Sequence, residues 1–259
     1  MGLQIAKSFI TQLIANPHRK PSARLVYPLT AASQPHLDRL GPSKVDKHEL
    51  SLAWVSYRDA KWAIENWHYS RSVPAGKTVK VGVFEQRQFI GVVIFSRGST
   101  PKIGTPYGLE QTQVCELTRV ALDAHKSPVS QIISEAIAML RQQNPGLRLI
   151  VSYAATEEGH HGGIYQAGNW IYVGCKDSYK YRVGNQLIHG RTMSMRAGRM
   201  GLSGAEYLTH IGHPKAPRLR VYRHKYLMPL DRKTRRQIAG LSQDAPKPST
   251  DTVCGQGQL

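Results

Sequence analysis

The alternation of apolar and polar positions divides the middle of the chain into short strands and helices. Leu50–Ser56 reads as a strand, and Arg58–Trp67 as a helix with Ala60, Ala63, Ile64 and Trp67 on one side. Two β-rich runs, Lys80–Glu85 and Phe89–Ser96, flank Gln86-Arg87-Gln88 and predict an antiparallel hairpin. Val114–Leu122 is the next strand. From Ser127 to Gln143, Val129, Ile132, Ile133, Ala136, Ile137 and Leu140 recur at the spacing of one helical face. Ser127 suits the N-cap, Pro128 the first helical position, and Asn144-Pro145-Gly146 the stop. Leu147–Tyr153 and Trp170–Cys175 read as strands on either side of a short helix at Glu158–Ala167. The pattern predicts a mixed α/β (α+β) domain with helices flanking a central sheet.

The flanks differ from this middle. Pro17, Pro21, Pro28, Pro35 and Pro42, with basic residues between them, predict a proline-rich basic arm over residues 1–45. The folded domain is expected over 46–190, a basic C-terminal extension over 191–242, and a disordered Pro-, Ser-, Gly- and Gln-rich tail over 243–259. No internal repeat is visible. No apolar run is long enough for a membrane span, and the stretch from Leu3 to Ile14 is broken by Lys7 and Gln12 and lacks a small-residue cleavage site. The expectation is therefore a cytoplasmic protein with no membrane partner. Cys115, Cys175 and Cys254 are too far apart for a disulfide scaffold or a thiolate zinc site, which fits a reducing compartment.

Charge adds a partner. Lys plus Arg total 35 against 17 Asp plus Glu, a formal net charge of +18. The excess is concentrated between Lys176 and Arg236, where Tyr179, Tyr181, Tyr207, Tyr222 and Tyr226 interleave with the cations. Cations neutralise phosphates and tyrosine faces stack on unpaired bases, so the expected partner is nucleic acid.

Candidate chemistry lies in several separate segments. His68, at a predicted helix end with Tyr69, Ser70 and Arg71 beside it, is a candidate base, metal ligand or cap. Glu116 and Arg119 are charged residues in a strand expected to be core, where each needs a partner or a pocket. By alternation they fall on opposite faces. His161 and Tyr165, four apart on the predicted helix, share a face. Gln166 and Asn169 carry amides able to pair with an adenine edge, or to cap a helix. The helix start at Ser127, with its free amides and positive dipole end, favours an anion.

The segment Ser152–Gly174, with strand, polar loop, helix carrying Tyr165, and Gly168-Asn169-Trp170 leading into another strand, resembles the final βαβ unit of the GNAT acyltransferase superfamily. That resemblance implies strands Val114–Leu122 and Leu147–Tyr153 splaying into a V. It also implies an acyl-coenzyme A donor with its pyrophosphate at the helix start, and Val120, Lys126, Ser127 and Ser130 as candidate cofactor contacts. The glycine-bearing pyrophosphate loop of that superfamily is replaced here by Asp123-Ala124-His125-Lys126-Ser127-Pro128.

A narrower set of motifs resembles the Mom family of phage DNA-modification proteins. It comprises Trp67-His68-Tyr69-Ser70, Phe89-Ile90-Gly91-Val92-Val93, Glu116-Leu117-Thr118-Arg119, Ser152-Tyr153-Ala154, Gly159-His160-His161-Gly162-Gly163-Ile164-Tyr165-Gln166-Ala167, Asn169-Trp170 and His189-Gly190-Arg191-Thr192, in that order. An Asp common after Ser-Tyr-Ala in the family is Ala155 here.

The family resemblance implies a transferase that converts adenine in duplex DNA to carbamoylmethyl-adenine and so blocks restriction. The target amine lies inside the base stack, so the adenine must be flipped out. On this reading His68, Tyr69, Glu116, Arg119, Ser152, Tyr153, His161 and Tyr165 are catalytic candidates. Ser70, Arg71, Gln166, Asn169, His189 and Arg191 are candidates for holding the substrate. A carbamoylmethyl group is joined through a CH2 carbon, which a thioester does not supply by acid–base chemistry, so iron is a second cofactor candidate with His68, Glu116 and His160 as ligands. An ordinary GNAT acetyltransferase and a non-catalytic DNA-binding relative stay open beside this reading.

Overall fold

The computed structural model describes residues 50–74, 76–98 and 100–247. The arm expected at 1–45 and the tail beyond 247 lie outside the described residues. Eight strands form one mixed sheet: β1 (Leu50–Trp54), β2 (Thr78–Glu85), β3 (Gln88–Ser96), β4 (Val114–Leu122), β5 (Leu149–Ala155), β6 (Ile171–Val183), β7 (Gln186–His189) and β8 (Arg218–Pro229), in the order β1-β2-β3-β4-β5-β8-β6-β7. Among the described strands, only the β4–β5 pair is parallel. The helices are α1 (Tyr57–Trp67), α2 (Val129–Gln143), α3 (Gly163–Gln166), α4 (Gly190–Arg199), α5 (Gly204–His210) and α6 (Arg232–Ile238). Among the described residues no helix is long and apolar enough to cross a membrane.

Helices cover both faces of the sheet. Ile132, Ile133, Ala136, Ile137 and Leu140 of α2 pack with Val81, Val83, Val93 and Phe95, whereas Ala60, Ala63 and Ile64 of α1 pack with Phe84, Val92, Ile94 and Ala121. A strand covered on both sides carries a continuous apolar run, and β3 is one (Phe89-Ile90-Gly91-Val92-Val93-Ile94-Phe95). The β2–β3 hairpin turns at Gln86 and Arg87 with φ of 51° and 63°, the paired positive values of a two-residue hairpin turn.

Several expectations change. The 191–242 segment is not a separate extension, because β8 inserts between β5 and β6. Its sequence, Arg-Leu-Arg-Val-Tyr-Arg-His-Lys-Tyr-Leu-Met-Pro, alternates, but with so many cations that its composition suggested surface. The helix expected at Glu158–Ala167 is a 3-10 turn at Thr156–Glu158, a loop, and the single turn of α3, because Gly159 and Gly162 adopt φ of 71° and 87°. Helix α2 starts at Val129 with Pro128 in the capping position and no side-chain cap, so Ser127 is not the N-cap. Cys115 is free and burial pushes its thiol up to about 12, while Cys175 is disulfide-bonded, a bond the cysteine spacing did not anticipate.

Candidate active site

Strands β4 and β5 pair from Val114 opposite Leu149 to Leu117 opposite Ser152, and then part. Beyond that point β4 keeps its bonds to β3 and β5 its bonds to β8, so each backbone stays satisfied on its outer edge while the inner edges open. The split is closed at its base by Ser152, fully buried, whose hydroxyl donates to the Leu117 carbonyl at 2.8 Å. The Ser152 and Tyr165 hydroxyl oxygens are also 2.8 Å apart. Because a carbonyl only accepts and serine has one proton, both bonds coexist when Tyr165 donates to Ser152.

A cleft of about 570 Å³ occupies the split, walled by His68, Tyr69, Arg119, Tyr153, the 159–162 loop and the first residues of α3 through Tyr165. Trp67, Val120, His125 and Val129 also line it. Four of the separate motifs thus meet here.

His68 caps the C-terminus of α1, and its Nδ1 accepts from the Ser70 amide at 3.1 Å. An amide can only donate, so the ring proton sits on Nε2. Burial first, then the Arg119 charge and His160, hold His68 down to about 4, so the ring is neutral. This favours a hydrogen-bond donor over the expected base or metal ligand. Ser70 fixes the ring, while Arg71 is exposed at φ 44°.

Arg119 corrects the alternation argument. A register shift pairs Ile94 with Arg119 and Ser96 with Glu116, and since Ile94 and Ser96 share a face, so do Glu116 and Arg119. The guanidinium donates to the Thr118 carbonyl at 2.7 Å and lines the cleft. Glu116 sits in the still-paired part of β4, opposite Val151.

Around the mouth, the Tyr69 ring lies 4.3 Å from His68 and 5.5 Å from His160, centroid to centroid, and is half-exposed. Burial above all pushes Tyr153 and Tyr165 up to about 12, so both stay protonated at neutral pH. His161 stands in the loop rather than on a helix with Tyr165, and its carbonyl accepts from Tyr226 at 2.6 Å.

Other candidates lie elsewhere. The Gln166 amide donates to Tyr226 and to the Pro246 carbonyl, and with Asn169 it lines a second pocket rather than the cleft. Asn169 is exposed at φ 58°. His189 caps α4: its Nδ1 accepts from the Arg191 amide at 3.2 Å, and its Nε2 meets Ser178 at 2.7 Å. Arg191 is exposed at the start of α4. His68, Glu116 and His160 do not assemble, since the described residues contain no group of three His, Cys, Asp or Glu side chains able to hold a metal. Of the cofactor candidates Val120 faces the cleft, Ser130 lies in the first turn of α2, and the Lys126 and Ser127 amides bond the Glu85 carboxylate.

Sequence reasoning missed Glu85, took Tyr226 only as one of the tyrosines interleaved with the C-terminal cations, and counted Arg223 within the basic stretch from Lys176 to Arg236. Arg223 pairs opposite Ala155 at the open end of β5, with its Nε buried and unpartnered. Its charge is felt by Tyr69, Arg119 and Tyr153. The signal available was the alternation of β8, which puts Arg223 and Lys225 on one face and His224 and Tyr226 on the other.

Comparison with known proteins places these features in a family. The methylcarbamoylase mom of Escherichia phage Mu is 29% identical over 160 residues, 60% of this chain and 66% of that protein, so the aligned part falls just short of two thirds of the relative. Among solved structures, a GNAT-family acetyltransferase from Streptococcus pneumoniae is 9% identical with TM-score 0.41, covering 70% of this chain and 100% of that one. A spermidine N-acetyltransferase from Vibrio cholerae, in complex with CoA and spermine, is 13% identical with TM-score 0.39, covering 70% and 95%. The Mom protein family profile matches residues 49–247, the greater part of the sequence, and the chain therefore belongs to the Mom protein family.

Proposed function

We propose that this chain is a DNA-modifying transferase that adds a carbamoylmethyl group to the exocyclic amine of adenine in duplex DNA. One observation carries the reading: within the family-matched region, His68, Tyr69, Arg119, Tyr153, His160, His161 and Tyr165, distant in sequence, line one cleft.

The target amine is stacked inside the duplex, so the adenine must leave the stack to enter the cleft. The Tyr69 ring, with His68 and His160 against it, offers a face for an extruded base at the mouth. Deeper in, the His68 Nε2–H and Tyr165 hydroxyl are donors held in their protonated forms, and Arg119 supplies a permanent cation. Such a lining favours an oxygen that gains negative charge during transfer. Tyr165 is the proton donor: at rest its one proton lies on the bond to Ser152, and in the reaction the hydroxyl turns that proton to the substrate.

The residues expected to hold iron do not fit it. His68 uses Nδ1 on Ser70 and carries its proton on Nε2, and no three-ligand group forms around it among the described residues, so no step here runs through iron. The Lys126 and Ser127 amides, which precede α2, are bonded to Glu85, so these two of the expected acyl-coenzyme A contacts are already occupied, while the cleft itself reaches the helix start at Val129.

The test is mass spectrometry of nucleosides from DNA co-expressed with the full chain. A modified adenine carrying the mass of a carbamoylmethyl group is expected. An acetyl mass would make the chain an ordinary acetyltransferase, and DNA binding with unmodified bases would make it a non-catalytic binder.

A further inference from the structure

Among the described residues, Arg223 of β8 has no anionic partner. Its neighbours across the sheet are Ala155 of β5, whose side chain offers no polar group, and Lys176 of β6, a like charge. Residues opposite one another in a sheet share a face, and like charges so placed repel. Lys225, two positions along β8, shares that face as well. None of these three cations is in an ion pair among the described residues, and the nearby Glu157 carboxylate is already taken by Lys180 at 2.8 Å. Lys225 has the rings of Tyr107 and Tyr153 beneath it, with centroids at 5.1 and 5.9 Å. Arg223 has less. Its Nε is buried without a hydrogen-bond partner, where a buried donor ordinarily finds an acceptor.

This face borders the cleft. Tyr153 stands opposite Lys225 and lines the cleft, and Arg223 lies two register steps further toward the open end of β5. Its charge acts on Tyr69, Arg119 and Tyr153, all of which wall the cleft. We infer that Arg223, with Lys176 and Lys225 beside it, holds a backbone phosphate of the substrate strand next to the extruded adenine, an inference that rests on the proposed action on duplex DNA. A nucleotide turned out of the stack stays tied to its strand through the phosphates on either side, so those phosphates lie at the rim of whatever cleft takes its base. A guanidinium meets a phosphate with two parallel N–H···O bonds, which a lysine does not. A phosphate there gives the buried Nε an acceptor and offsets the repulsion from Lys176.

Binding is measured with the full chain on a duplex of G·C pairs carrying one adenine opposite an abasic site. The same duplex is then used with uncharged methylphosphonates at the two linkages flanking that adenine. Arg223→Gln is expected to bind the first duplex about tenfold more weakly, the scale of one charge-assisted pair, and the second as tightly as the unaltered chain does. Arg223→Lys keeps the charge without the fork; it is expected to lose a smaller part of the same affinity, and serves if the glutamine variant does not fold. Equal losses on the two duplexes, or no loss on either, would overturn the inference. Coenzyme A is titrated in parallel: weaker coenzyme A binding by Arg223→Gln with duplex binding unchanged would give the cation to a donor's phosphates, which also overturns it. An unaltered chain that binds both duplexes equally would overturn this inference alone, whereas one that binds neither would overturn the proposed function with it.

Discussion

Tyr226, in the middle of β8 and fully buried, donates its phenolic hydrogen to the carbonyl of His161 at 2.6 Å. A strand lying after the 190 boundary thus holds the loop that walls the cleft. Gly162 follows with φ 87° and packs so closely on the Tyr226 ring that any Cβ would collide with it.

Two substitutions in this loop should therefore differ. Gly159, at φ 71°, faces open space, and Gly159→Ala should cost about 1 kcal/mol from backbone strain alone. Gly162→Ala adds a clash with Tyr226 and should cost about 3 kcal/mol. Urea denaturation of the two variants checks the order; equal losses would mean that the loop is not seated on Tyr226.

Tyr226→Phe keeps the ring and removes the bond to His161. Stability should fall by about 1 kcal/mol. Modified adenine should fall further than that loss of folded protein explains, because the loop carrying His160 and His161 is released. Activity unchanged per folded molecule would leave Tyr226 a core residue only.

Tyr165→Phe separates proton donation from packing. Ser152 keeps its bond to Leu117, so the fold should persist with a loss of about 1 kcal/mol. Modified adenine should drop by roughly 100-fold, the usual scale for losing a positioned acid. Full activity would remove Tyr165 from the reaction.

Acid should destabilise this fold through histidines kept neutral. His68 and His189 are each lowered from 6.5 to about 4 in the folded chain, chiefly by burial, with nearby arginines adding to it. Above 6.5 the ring is neutral folded or unfolded and contributes nothing; as pH falls toward 4 the unfolded chain takes up protons first, and stability declines. His68→Gln should flatten that decline between pH 6.5 and 4. Thermal unfolding across this window measures it, and an unchanged slope would mean that His68 protonates freely in the fold.

If the chain acts on duplex DNA as proposed, the cations between Lys176 and Arg236 should not contribute equally to binding it. Arg196 and Arg199 are exposed on α4, whereas Arg220 is paired with Asp177 at 2.6 Å and Arg218 lies over the Tyr179 ring. Replacing Arg196 and Arg199 with Ala should reduce the log–log salt slope of duplex binding by about 2, near 0.9 for each phosphate no longer neutralised. Arg220→Ala should change it less, since its charge is already partly neutralised. Equal effects would place the phosphate-binding surface differently.

Local pattern determined much of this protein. Short-range periodicity marks β3, β4, α1 and α2, because a strand between two layers must be apolar throughout and a packed helix must be apolar on one side. The motif order around His68, Arg119, Tyr153 and Tyr165 pointed to the family and to residues that line one cleft. Tertiary structure alone decided the rest. A one-residue bulge in β4 turned Arg119 onto the face of Glu116, and no alternation argument sees an inserted residue. Insertion of β8 made Tyr226 the anchor of the 159–163 loop, a pairing between segments more than sixty positions apart whose energy no local window contains. The reach of Glu85 to the amides before α2 is likewise non-local: a carboxylate at a hairpin end looks like surface charge until another segment brings its donors to it.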